Sequence, residues 1–176
     1  VRSILAPEPE GPVETVGEAG SLSAASALAD YCQADVVARP VACLRVEQFV
    51  ARRQGSVVAI SFTMLGELAG PLVVLFSAEA ASRVAGRVLK DPEQGQFPLS
   101  PLAEEVLVEV AEVAADAYVD GVTSAMDDTV TLAIPDLRIG AGADVLPLVL
   151  KDVHMSRIIL APLVVDGCEV AIVHGI

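Results

Sequence analysis

A twenty-residue stretch, Leu102 to Gly121 (LAEEVLVEVAEVAADAYVDG), contains no proline and no glycine before its last residue. It is rich in Ala, Glu and Leu, which favour helix, and five interior Val residues lower that preference only slightly. The spacing predicts a helix whose buried stripe is Leu102, Val106, Val110, Val113, Ala114 and Ala117, recurring at three and four. Glu105, Glu109, Glu112, Asp116 and Asp120 recur at the same spacing, so five carboxylates share another face. Like charges at i,i+4 cost roughly 0.2–0.5 kcal/mol per pair. No Lys or Arg lies between Lys90 and Arg138 to offset them. Such a face is either a solvated surface or a docking surface for a partner.

The rest of the composition narrows the choice. Hydrophobic residues make up 53% of the 176 residues and aromatic residues only 3%, so the core must be aliphatic. Mean hydropathy is +0.60, yet no run reaches the roughly 18 uninterrupted apolar residues of a spanning helix. The most apolar pieces, Ser56–Met64 and Gly70–Phe76, have the length and β-branched content of strands. Val1–Ala6 lacks a basic segment followed by an apolar core, so a cytoplasmic protein without membrane insertion is expected. A net charge of −13 argues against nucleic acid as a partner, because phosphate backbones require a basic surface. Cys32, Cys43 and Cys168 have neither disulfide nor zinc-site spacing. Each sits among apolar residues, the setting of a small buried side chain. His154 and His174 belong to no metal-binding motif, so no metal site and no cofactor is expected.

Taken in order, the chain opens with a flexible leader, residues 1–14, carrying Pro7, Pro9 and Pro12. A helix follows over Thr15–Cys32, then an extended segment from Asp35 to Phe49 around Pro40. Two strands, Ser56–Met64 and Gly70–Phe76, precede a helix capped by Ser77 that runs to about Lys90. The Pro- and Gly-containing segment from Asp91 to Pro101 separates the halves. The second half repeats the plan: the acidic helix, a strand at Thr129–Ile134, and an irregular Pro135–Leu148. A hairpin of His154–Val164 and Cys168–Val173 then turns at Asp166-Gly167. Laying Glu18 on Glu112 gives an offset of 94 residues, with pseudo-repeats over about 15–90 and 99–176. One α+β domain over residues 15–176, with long helices packed on an antiparallel sheet, is the expected fold.

Several segments carry a resemblance in the same order. Val16-Gly17-Glu18-Ala19-Gly20, followed by Ala24-Ala25-Ser26-Ala27-Leu28, resembles the E-x-G-N-I-G-A-G-N-A-A-T-A-L stretch of the CheC/CheX/FliY chemotaxis phosphatases. Glu109-Val110-Ala111-Glu112-Val113, continuing to Tyr118, resembles that family's second E-V-G-N-I-L-x-G-S-Y-L stretch. Gly66-Glu67-Leu68-Ala69-Gly70 with Leu72–Phe76 and Ser77-Ala78-Glu79 is similar to the G-D-I-T-G strand between them. Pro135-Asp136-Leu137 with Gly140 and Ala141 fits the segment after the second helix. The chain is thus identified as a divergent member with a CheC-like internal duplication.

The resemblance implies binding to a phosphorylated CheY-type response regulator and hydrolysis of its aspartyl phosphate. In the family's E-x-x-N motif the Glu contacts the regulator and the Asn amide orients a water for in-line attack. Any divalent metal is then expected on the partner receiver domain. A neutral amide suits that task, accepting from the water while donating to a phosphoryl oxygen. Here both Asn positions are Glu: Thr15-x-x-Glu18 and Glu109-x-x-Glu112. An ionised carboxylate cannot donate, and two unit charges about 4 Å apart at an effective dielectric near 20 repel by roughly 4 kcal/mol. A penalty of that size removes on the order of a thousandfold in rate.

The candidate catalytic residues are therefore Glu109, Glu112 and Glu18, with Glu105, Asp116 and Asp120 as partner-binding residues re-tuned toward a basic surface. The first reading is a weak or degenerate phosphatase for a CheY-type receiver. The second is a non-catalytic interaction module, flagellar-switch-like or self-associating as a homodimer through a sheet edge left after Ile176. A third, a small-molecule sensor, rests only on Gly140–Gly142.

Overall fold

A computed structural model describes residues 12–53, 55–66, 68–126, 129–151 and 157–176. Helix α1 (Pro12–Cys32) leads into β1 (Val36–Ala38), β2 (Ala42–Arg45), the short α2 (Val46–Ala51) and the hairpin β3 (Ser56–Leu65) to β4 (Gly70–Ser77). After α3 (Ala78–Val88) the order recurs: α4 (Pro101–Met126), β5 (Thr131–Leu132), β6 (Asp136–Ala141), α5 (Gly142–Val149), β7 (Arg157–Val165) and β8 (Cys168–Gly175). All the strands belong to one antiparallel sheet in the order β1-β7-β8-β4-β3-β5, with β2 also on β7 and β6 also on β3. The copies therefore interlock. The short strands of the first copy satisfy the outer edge of the second hairpin, and those of the second copy satisfy the first.

Both sheet faces are covered, which explains the near-continuous apolar runs. Val58, Ile60, Phe62 and Met64 of β3 point into a core shared with α1, α3 and α4. Val57 and Ala59, one residue out of phase, point into a second core with Phe49 of α2 and Leu146 of α5. The high hydropathy thus fills two cores. Among the described residues no helix is long and apolar enough to cross a membrane.

Local chemistry sets several boundaries. Ser77 Oγ accepts from the Ala80 N–H at 3.1 Å and starts α3. Asp166 and Gly167 both have positive φ, 47° and 82°, the conformation a two-residue hairpin turn requires. Gly20 and Gly121 mark the crossing of α1 and α4: a Cβ on Gly121 would lie 2.6 Å from the Ala19 carbonyl oxygen and 2.9 Å from Gly20 Cα. The space beside Gly20 is filled by the Tyr118 ring and Val122, and that beside Gly17 by Ile159 and Val41. The Tyr118 hydroxyl lies 3.4 Å from Nδ1 of buried His174.

Several sequence expectations are corrected. Leu102 is 49% exposed, and the buried arc of α4 instead runs through Ala103, Val106, Leu107, Val110, Ala111, Ala114, Ala115, Tyr118 and Val119. Packing against α1, α3 and β4 together makes that arc wider than one stripe. Gly121 lies within α4, which continues to Met126. Phe49 lies in α2, and Pro135–Leu148 forms strand β6 and helix α5. Gly140 pairs with Val57, and the Gly142 N–H donates to Gly55 O at 2.9 Å, so these glycines serve the sheet and its helix. Strand β8 lies between β7 and β4, so the sheet edges are elsewhere. Helix α1 begins at Pro12; residues 1–11 and His154 fall outside the described residues.

Candidate functional site

The acidic stripe of α4 is on the surface. Glu105, Glu109, Glu112, Asp116 and Asp120 are all exposed, while the neighbouring positions Val106, Val110, Ala111, Ala114 and Ala115 are buried. The five carboxylates fall on one face because the opposite side of the helix is committed to the core. They do not form an even row. The Tyr31 hydroxyl of α1 donates to Glu109 Oε2 at 2.8 Å, which raises the tyrosine pKa through that bond first and burial second. Glu109 is thus held in place by a residue that the spacing of α4 alone could not reveal. Asp116 has a raised pKa, chiefly from partial burial and then from the charge of Asp120.

Glu112 and Asp116 form one wall of a cleft of about 480 Å³, whose other lining residues are Phe62, Leu132, Ala133, Ile134 and Pro135. The cleft exists because β5 is only two residues long, held at the end of β3 by Met64 and Leu65. The chain then leaves the sheet, anchored by the Ala133 N–H to Thr63 O at 2.9 Å. Ile134 projects at the tip with 90% of its surface exposed. A large aliphatic side chain fully in solvent beside two carboxylates is the second feature the sequence reading missed; the strand expected over Thr129–Ile134 concealed it.

Glu18 does not join this group. Tyr31 faces Glu109 and Gly20 faces Gly121, so α1 and α4 run antiparallel. Glu18 is level with the turn after Gly121, whereas Glu112 is level with Leu28. At 1.5 Å per residue the two Glu positions lie about 15 Å apart along the helix axes. They are separate surface positions, not a dyad.

No family model matches the chain, and no curated protein matches it in sequence. Solved structures do match. FliY from Thermotoga maritima aligns with a TM-score of 0.72 at 15% identity, covering 96% of this chain and 92% of that one. The FliM middle domain from Vibrio alginolyticus aligns with a TM-score of 0.62 at 11% identity, over 92% of this chain and 91% of the other. A chain of the CheX–CheY–BeF3–Mg complex from Borrelia burgdorferi gives 0.60 at 14% identity, over 89% and 93%. The chain has the CheC/CheX/FliY-type fold.

At those identities the likeness carries the fold, and the site chemistry must come from the side chains present. Glu18 and Glu112 sit exposed on the two long helices, one per copy. Glu112 borders the cleft beside Ile134. The residues lining that cleft include no amide, hydroxyl or imidazole side chain. Its ionised carboxylates accept hydrogen bonds and attract cations, but they cannot donate to a phosphoryl oxygen. Among the described residues no cluster of three His, Cys, Asp or Glu side chains is placed to hold a metal ion. The arrangement sets two carboxylates beside an exposed aliphatic side chain.

Proposed function

We propose that this chain binds a CheY-type receiver domain through the second-copy face formed by Glu109, Glu112, Asp116 and Ile134, and that it hydrolyses the receiver's aspartyl phosphate slowly or not at all. The observation that carries this reading is the cleft beside Glu112 and Asp116, which joins an acidic wall to an exposed aliphatic tip. Interfaces of this type place an apolar anchor within a charged rim. A fold shared with the CheX–CheY–BeF3–Mg complex supports the choice of partner. The missing amide at Glu112 supports the low rate, through charge repulsion at the phosphoryl group.

The likeness to the FliM middle domain supports a second reading, an adaptor that uses the same face without any phosphatase step. One titration series separates them. Binding to phosphorylated and unphosphorylated receiver is measured at rising salt, with phosphoryl decay followed in parallel. The first reading expects preference for the phosphorylated form and affinity that falls steeply with salt. Equal affinity for both forms and no effect on decay favours the adaptor. Absence of binding to either form contradicts both readings.

A further inference from the structure

The strand register places Arg45 of β2 directly opposite Arg157 of β7. Directly opposed residues on an antiparallel pair have Cβ atoms about 4.5–5.5 Å apart, and like charges there are destabilising. The ion pairs between described residues engage Arg53, Arg83, Arg87 and Arg138. The side chains of Arg45 and Arg157 make no ion pair or hydrogen bond among the described residues. This happens in a chain with 24 acidic and 11 basic residues, where acidic partners are abundant.

The fold does not demand charge at this position. The internal duplication supplies the control: β6 stands to β3 as β2 stands to β7, and the pair that ends that ladder is Ala141 opposite Ser56. Arg45 and Arg157 line a cleft of about 370 Å³ together with Cys43, Leu44 and Gln48. Charge on an edge strand can discourage edge-to-edge pairing, but one cation serves that purpose, and a second directly opposite adds repulsion.

We propose that Arg45, Arg157 and Gln48 form a binding site for a phosphoryl group, either free phosphate or a small phosphomonoester. A single guanidinium fork satisfies a carboxylate, whereas a dianionic phosphoryl group has charge and oxygens for two. Its third oxygen is then available to the Gln48 amide. The bound dianion neutralises the pair and removes the repulsion that the register imposes.

The test is calorimetric titration of the full chain, in phosphate-free buffer at low ionic strength, with inorganic phosphate and with phenyl phosphate. Saturable one-to-one binding is expected, reduced about tenfold or more in Arg45→Gln and in Arg157→Gln. Arg45, Arg157 and Arg52 are all exposed, and Arg52→Gln, at an arginine outside the cleft with no ion pair among the described residues, keeps full affinity. Tighter binding of phenyl phosphate assigns the cleft to a phosphomonoester; equal binding assigns it to the phosphoryl group alone. No saturable binding of either probe, or an equal loss in Arg52→Gln, overturns the proposal.

Discussion

Helices α1 and α4 occupy equivalent places in the two copies but have different outer faces. With the 94-residue offset, Thr15, Glu18, Leu22 and Ser26 correspond to Glu109, Glu112, Asp116 and Asp120, and all eight are exposed. The buried sides are alike: Gly17 and Gly20 correspond to Ala111 and Ala114, small residues that permit close helix packing. The turns beside the helices differ as well. The second copy presents Ile134-Pro135, and the corresponding turn of the first presents Arg39-Pro40. One copy therefore offers an acidic wall with an apolar tip, and the other a mixed face with a basic tip. Core packing constrains both copies equally, while the outer faces are free to diverge, and the carboxylates have concentrated on one of them.

The largest expected effect comes from making Glu112 resemble a family amide. If the proposed docking holds, Glu112→Asn removes a negative charge beside the receiver's phosphoryl group and should raise the dephosphorylation rate by up to about a thousandfold, measured as phosphoryl decay. An unchanged rate would show that repulsion is not what limits hydrolysis. Next is the helix crossing that holds the copies together. Gly121→Val places a Cβ 2.6 Å from Ala19 O, and should cost about 1–3 kcal/mol in urea unfolding. Gly55→Ala, where a Cβ meets nothing within 4 Å, is the neutral control.

A third effect is a pH dependence carried by the second copy's last strand. Burial lowers the His174 pKa from 6.5 to about 4. The unfolded chain therefore binds a proton between those values that the folded chain refuses, so stability is full above the unfolded pKa and falls as pH drops toward the folded one. From pH 7 to pH 5 this contributes a loss of about 2 kcal/mol. Urea unfolding of His174→Phe beside the native chain should show that component removed. The smallest effect is at the tip: Ile134→Ala should weaken receiver binding by about tenfold or less, read by titration.

The legible parts of the fold were those where local signals agree. The β3–β4 and β7–β8 hairpins announce themselves through β-branched runs and Asp166-Gly167, and Ser77 caps α3 as expected. The order of elements exposed the duplication. Strand β6 and helix α5 were hidden, because Gly140, Gly142 and Pro147 mark loops locally while the pairing with β3 is set by distant residues. The phase of α4 was misplaced because alanines such as Ala103, Ala111 and Ala115 give little hydropathy contrast, yet all three are buried. Within the site, the acidic stripe was visible from spacing alone. The hydrogen bond from Tyr31, the exposure of Ile134 and the separation of Glu18 from Glu112 all depend on how α1 and β5 lie against α4. No periodicity within one helix encodes that.

The most direct test of this account compares the two copies in one assay: receiver affinity at low salt for the native chain, for Glu109→Ala with Glu112→Ala, and for Glu18→Ala. The account predicts a loss of about tenfold or more for the α4 pair and less than about twofold for Glu18→Ala, as befits an exposed charge outside the interface. Equal losses from both faces, or a loss confined to Glu18→Ala, would contradict it.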